Sequence, residues 1–81
     1  MSTLAHLAPA IGGFEISPHD TNALSKVTRA IYVGGAGHLT VTMHDGTVVT
    51  FPSVLAGSLL PIRVRLVMAT NTTATNIVGL Y

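Results

Sequence analysis

Leu39-Thr40-Val41-Thr42-Met43-His44-Asp45-Gly46-Thr47-Val48-Val49-Thr50-Phe51 is the stretch that decides the fold. Two β-branched runs flank Asp45-Gly46, a pair suited to the positive backbone angles of a tight hairpin turn. A two-residue loop would pair His44 with Thr47, and so Val41 with Thr50 and Met43 with Val48. A three-residue loop of His44-Asp45-Gly46, with Gly46 left-handed, pairs Met43 with Thr47, Val41 with Val49 and Leu39 with Phe51. Side chains alternate between faces along a strand, so the second register is the one that keeps most apolar partners opposite each other. It is the register expected here, with Leu39, Val41, Val49 and Phe51 facing the core.

On the N-terminal side, Ala30-Ile31-Tyr32-Val33 reads as a short strand closed by Gly34-Gly35-Ala36-Gly37. On the C-terminal side, past a Pro52–Leu60 connection, Ile62-Arg63-Val64-Arg65-Leu66 alternates. It puts Ile62, Val64, Leu66 and Met68 on one face, with Arg63 and Arg65 about 7 Å apart on the other. A polar Thr70–Thr75 loop leads into a last strand, Asn76 to Tyr81, an uncharged edge open to pairing. Residues 1–27 have no sustained period. Ser17-Pro18-His19-Asp20 has the order of a helix start but room for only one or two turns. The expected fold is all-β: a small antiparallel sandwich or open barrel of about five strands over residues 28–81, preceded by a mostly extended N-terminal arm with a short turn over 1–27.

Composition says how such a domain is stabilised. The chain has 81 residues and no cysteine, which excludes disulfides and thiolate metal sites. A domain this small has a limited core and usually leans on a disulfide, a metal or a partner. Charged residues make up 9% of the chain beside 48% hydrophobic ones, against roughly 25% charged in an average soluble domain. Surplus apolar surface on a small protein marks contacts, so partner subunits are the expected supplement. No run approaches the ~20 apolar residues of a spanning helix; the best, Val54 to Ile62, is broken by Gly57, Ser58 and Pro61. No Lys or Arg precedes Lys26, so the basic start of a secretory signal is missing and the protein is expected to be made in the cytoplasm. A net charge of +1, from Lys26, Arg29, Arg63, Arg65 and three acids, is too little for a broad nucleic-acid footprint.

No motif supports catalysis. His6, His19, His38 and His44 lack metal-ligand spacing, and three carboxylates leave little to complete a shell. Gly34-Gly35-Ala36-Gly37 precedes a β-patterned segment rather than the helix a phosphate loop opens. Ser53 and Ser58 sit outside any nucleophile elbow, and His19-Asp20 and His44-Asp45 are neighbours in sequence, which on a strand point to opposite faces. No enzyme activity, metal or cofactor is expected. Arg63 and Arg65 suit an acidic or carbonyl-rich surface on a neighbouring subunit, or a solvated face; Tyr32 and Tyr81 suit a barrel rim or an interface.

Four stretches resemble a known family: Ile16-Ser17-Pro18-His19-Asp20-Thr21-Asn22-Ala23-Leu24, Arg29-Ala30-Ile31-Tyr32-Val33-Gly34, Gly57-Ser58-Leu59-Leu60-Pro61-Ile62-Arg63-Val64 and Ala69-Thr70-Asn71-Thr72-Thr73-Ala74-Thr75-Asn76-Ile77-Val78. In order and spacing they look like the spike base proteins of gene transfer agents and related tailed-phage heads, over roughly residues 15–81. The resemblance implies a virion structural protein on the capsid surface, made in the bacterial host cytoplasm. It implies a ring, fivefold to match a capsid vertex, with partners in itself, the major capsid protein and a spike fibre protein. No catalytic residue carries over. The candidate interface residues are Pro18, His19, Asp20, Arg29, Tyr32, Arg63, Arg65 and Tyr81, with the arm clasping a neighbour or the capsid. Competing roles are a capsid decoration or neck protein and, from another class, a carbohydrate-binding β module. The last is disfavoured by no Trp and only two Tyr and two Phe. An OB-like single-strand binder lacks basic and stacking residues.

Overall fold

The computed structural model describes residues 9–81. Its hairpin forms in the expected register, Leu39 opposite Phe51 and Val41 opposite Val49. The Met43 amide donates to the Thr47 carbonyl at 2.7 Å and the Gly46 amide to the Met43 carbonyl at 2.9 Å. Gly46 has φ +94°, and the Asp45 carboxylate accepts the Thr47 amide at 2.9 Å, so local turn chemistry closes the loop. Leu39 and Val41 are fully buried, Phe51 packs partly buried against the core, and Val49 is half-buried.

Seven strands form where about five were expected: β1 Gly13–Ile16, β2 Ala30–Gly35, β3 Gly37–Met43, β4 Val48–Val54, β5 Ser58–Leu60, β6 Val64–Val67 and β7 Thr75–Leu80. They make two antiparallel sheets, β1-β7-β2-β5 and β4-β3-β6. The core lies between them. Ile31, Val33 and Ile77 of the first sheet meet Leu39, Val41, Val64 and Val67 of the second. The architecture is a small antiparallel β-sandwich.

Three sequence expectations are corrected. The last strand is not an edge: β7 lies between β1 and β2, because residues 13–16 pair along its other side. Gly79 makes that packing possible. A Cβ there would lie 3.0 Å from side-chain atoms of Phe14, Ile16 and Thr28. Next, β6 does not alternate regularly. Its pairing with β3 shifts register, Thr42 opposite Leu66 but Met43 opposite Val64, so Arg65 is the extra residue of a bulge. The bulge turns Val67 inward beside Val64 and leaves Leu66 half-buried. The regular same-face spacing expected of the arginines is thereby lost, since Arg63 precedes the strand and Arg65 occupies the bulge. Finally, no helix follows Ser17-Pro18 among the described residues. The His19 ring nitrogen Nδ1 accepts the Thr21 and Asn22 amides, each at 3.1 Å, and closes a bend instead.

Over its described residues, the segment read as an arm is anchored to both sheets. Beyond β1, the amides of His19, Leu24 and Thr28 donate to the carbonyls of Val67, Arg65 and Val64 at 2.9, 2.8 and 3.1 Å. The segment thus straps the outer edge of β6 and covers backbone groups that would otherwise template another strand. Residues 1–8 lie outside the described part. Across the outer face of β3 the 69–74 loop folds back. The Thr40 amide donates to the Thr72 hydroxyl at 3.0 Å, and the Thr40 hydroxyl donates to the Asn71 carbonyl at 3.2 Å. Thr40 is buried beneath this loop, and Thr42, on the same face of β3, is buried as well.

Candidate functional site

The strand directions give the sandwich two distinct ends. At the hairpin end β3 and β7 finish while β4, β2 and β6 begin; at the opposite end lie the β2–β3 turn and the 69–74 loop. The candidate residues divide between these ends and one sheet face.

Arg29, Arg63, Arg65 and Tyr81 come together at the hairpin end. The Arg29 amide donates to the Leu80 carbonyl, and the Arg63 carbonyl accepts the His44 amide at 2.9 Å. The Arg65 guanidinium lies over the turn, 3.5 Å from where a Cβ on Gly46 would sit. Tyr81 is occupied within the chain. Its ring stacks tilted on Phe14 at 6.0 Å between centroids, and the Lys26 ammonium stands 5.0 Å from its centre. Lys26, not among the candidate residues, thereby joins the same end.

Pro18, His19 and Asp20 lie toward the opposite end. Both oxygens of Asp20 are engaged by Thr70, from its amide at 2.8 Å and its hydroxyl at 2.7 Å. This exposed carboxyl is held below the usual range, first by the Thr70 hydroxyl and then by the Thr70 amide. Asp45 is held low as well, chiefly by the Thr47 amide, with Arg65 a lesser contributor. A carboxyl whose pKa is depressed on folding stabilises the fold above its unfolded pKa of about 4, and that contribution fades as pH falls through the lower folded value. Asp20→Asn is therefore expected to lower the melting temperature at neutral pH, and the gap to the parent should close in thermal scans taken well below pH ~4.

Tyr32 projects from the outer face of the four-stranded sheet. Glu15, Val78, Tyr32 and Leu59 line up across β1, β7, β2 and β5 in directly paired positions. Tyr32 is 42% and Leu59 58% exposed. Ala30 and Leu80, also paired, extend this apolar face one row toward the hairpin end. The sequence missed Leu59 and Val78. Their signal was alternation within Ser58-Leu59-Leu60 and within Ile77-Val78-Gly79, too short to separate from a buried run.

None of this geometry assembles a reaction centre. His38 Nδ1 accepts the Ser53 amide at 3.0 Å, and His19 Nδ1 closes its bend. No group of three or more His, Asp or Glu that could hold a metal exists among the described residues. No helix of those residues is long and apolar enough to cross a membrane. What the surface offers is contact area: a largely apolar sheet face, edge strands β1, β4 and β5 that pair on one side only among the described residues, and a cationic end.

Among solved structures the chain is similar to one described as "Capsid of native GTA particle computed with C5 symmetry". The two share 39% identity over 94% of this chain and 88% of that one, with a TM-score of 0.84. The chain belongs to this gene transfer agent capsid family. No family model matches it, and no curated protein does. The likeness spans both sheets, so the sandwich is the fold of this capsid family and not a local coincidence of strands. For a member of the capsid family, the surfaces that touch other proteins are the functional sites, and those described above are the candidates.

Proposed function

We propose that the chain is a structural, non-enzymatic protein of a phage-like particle, assembled as the ring-shaped base of a head spike at the capsid vertices. The observation that carries this reading is the 39% identity to a capsid chain over nearly the whole fold. That capsid was computed with C5 symmetry, the symmetry of a five-membered vertex ring. On this reading the partners are further copies of the chain, the major capsid protein below and a spike fibre above. The protein resides on the virion surface after synthesis in the host cytoplasm. Of the candidate contacts, Tyr32 on its apolar row and the uncovered sheet edges best suit ring closure. A head-to-tail ring buries one face or edge of every copy against a different one on its neighbour. Residues 1–27 act as an arm through the part that precedes β1, gripping a neighbour or the capsid.

Light scattering after size exclusion tests self-assembly. The expected result is a discrete closed oligomer of five copies. Tyr32→Glu combined with Leu59→Glu should convert it to a folded monomer, because two charges would be buried at the contact. A chain lacking residues 1–10, with β1 intact, reports on the arm in the same run. A parent protein that is monomeric at every concentration would remove the ring.

A further inference from the structure

The chain has only seven charged side chains outside histidine, and the fold sorts them. Lys26, Arg29, Arg63 and Arg65, all of its Lys and Arg, gather at the hairpin end with one carboxylate, Asp45. Glu15 sits on the outer sheet face, and Asp20 is engaged by Thr70 toward the far end. Placing like charges together costs energy through mutual repulsion, and a surface needing only solubility gains from spreading them.

The same end carries an open concavity of about 420 Å³, lined by Met43, His44, Asp45, Thr47, Val49 and Arg63. Met43 and Val49 supply its apolar lining; Arg63 lines it too, and Arg65 stands beside the adjoining turn, where it faces Asp45. We propose that this end is a docking site for an acidic segment of a different protein, an aliphatic side chain entering the concavity while flanking carboxylates meet Arg63, Arg65 and Lys26.

The chemistry argues for protein over nucleic acid. Tyr81, the aromatic ring at this end, is covered by Gly12, Phe14 and Lys26, so it offers no free face for a stacked base. An apolar concavity suits a side chain and has no use for a phosphate. A second copy of this chain is a poor occupant. Its Asp20 is already engaged, and neither Glu15 nor Asp45 has a second acid beside it in sequence. Guanidinium pairs favour carboxylates through fork-shaped hydrogen bonding, and complementary charge also speeds encounter. The inference is independent of where on a particle the protein sits.

The test is fluorescence anisotropy on the purified full chain. The probes are a short labelled oligoglutamate peptide with one central leucine, the same peptide without the leucine, its lysine counterpart, and a labelled single-stranded DNA. The leucine-containing acidic peptide should bind, about tenfold more weakly as salt rises from about 25 to about 250 mM. Removing the leucine should weaken binding by about tenfold. Arg63→Glu with Arg65→Glu should abolish it at an unchanged melting temperature. Should that variant not fold, Arg63→Gln and Lys26→Gln, each about threefold weaker, replace it. No binding of the acidic peptide, equal binding of the lysine peptide, tighter binding of DNA, or indifference to the charge variants would each overturn the proposal.

Discussion

Gly37→Ala is expected to remove about 3 kcal/mol or more of folding stability. Gly37 opens β3 where it passes beneath the 69–74 loop, and a Cβ there would lie 2.5 Å from the Ala74 nitrogen and 2.6 Å from the Thr73 carbonyl carbon. These are backbone atoms, and they are pinned. The amides of Thr73 and Ala74 donate to the His38 carbonyl at 2.9 and 3.0 Å, while the His38 amide donates to the Thr73 hydroxyl at 2.8 Å. Relieving the clash means withdrawing the loop, which would expose the buried Ala74 and uncover Thr40. Overpacking of this kind costs about 3 kcal/mol or more, against a total stability on the order of 4–12 kcal/mol for a domain of this length. Urea denaturation measures it. Gly57→Ala is the control. Gly57 has φ +81° but nothing within 4 Å of its Cβ position, so it should lose only about 1–2 kcal/mol to backbone strain. Equal losses at the two sites would mean that contact with the loop is irrelevant.

Thr28→Val is expected to cost about 2–4 kcal/mol although it conserves shape. The Thr28 side chain is fully buried, and its hydroxyl both donates to the Ile62 carbonyl and accepts the Val64 amide, each at 3.0 Å. Valine orphans two backbone groups that water cannot reach, at roughly 1–3 kcal/mol each before relaxation. They lie where the strap meets β6, so amide exchange at Leu24 and Thr28 should accelerate together with the loss of stability. Thr28→Ser keeps both hydrogen bonds and removes only the methyl that packs over Gly79, for about 1 kcal/mol. The structure thus predicts serine to be better tolerated than valine at a position surrounded by hydrocarbon. The reverse order in chemical denaturation would mean that packing, and not the hydrogen-bonded bridge, secures the strap.

Both substitutions fall where the sequence said little. Thr28 sits at the junction between the expected arm and the expected β domain, and nothing in Val27-Thr28-Arg29 signals a buried polar bridge to residues 34 and 36 positions away. Gly37 belonged to a glycine cluster read as a turn. It does lie at the β2–β3 turn, but the reason only glycine fits there is a loop some 37 residues downstream. Of the candidate contact residues, Tyr32 was left between a barrel rim and an interface, and the structure turns it outward between the buried Ile31 and Val33. Asp20, read as a contact residue, and Tyr81, read as a rim or contact residue, are engaged within the chain by Thr70 and Lys26, partners 50 and 55 positions away that no local pattern announces.

The sequence by itself determined the all-β class and the three-residue hairpin loop with its register. These follow from interactions a few residues apart, and such local terms do not wait for the rest of the chain to fold. Only the tertiary structure decided that β7 is central, that a bulge at Arg65 overrides a regular alternation, that residues 19–28 strap β6, and that every Lys and Arg shares one end. Each of these depends on which strand pairs with which across tens of residues. A strand's pattern declares the face it buries but not the neighbour it chooses, because neighbouring positions in a sheet present the same backbone hydrogen-bonding groups and the choice falls to packing of the whole core.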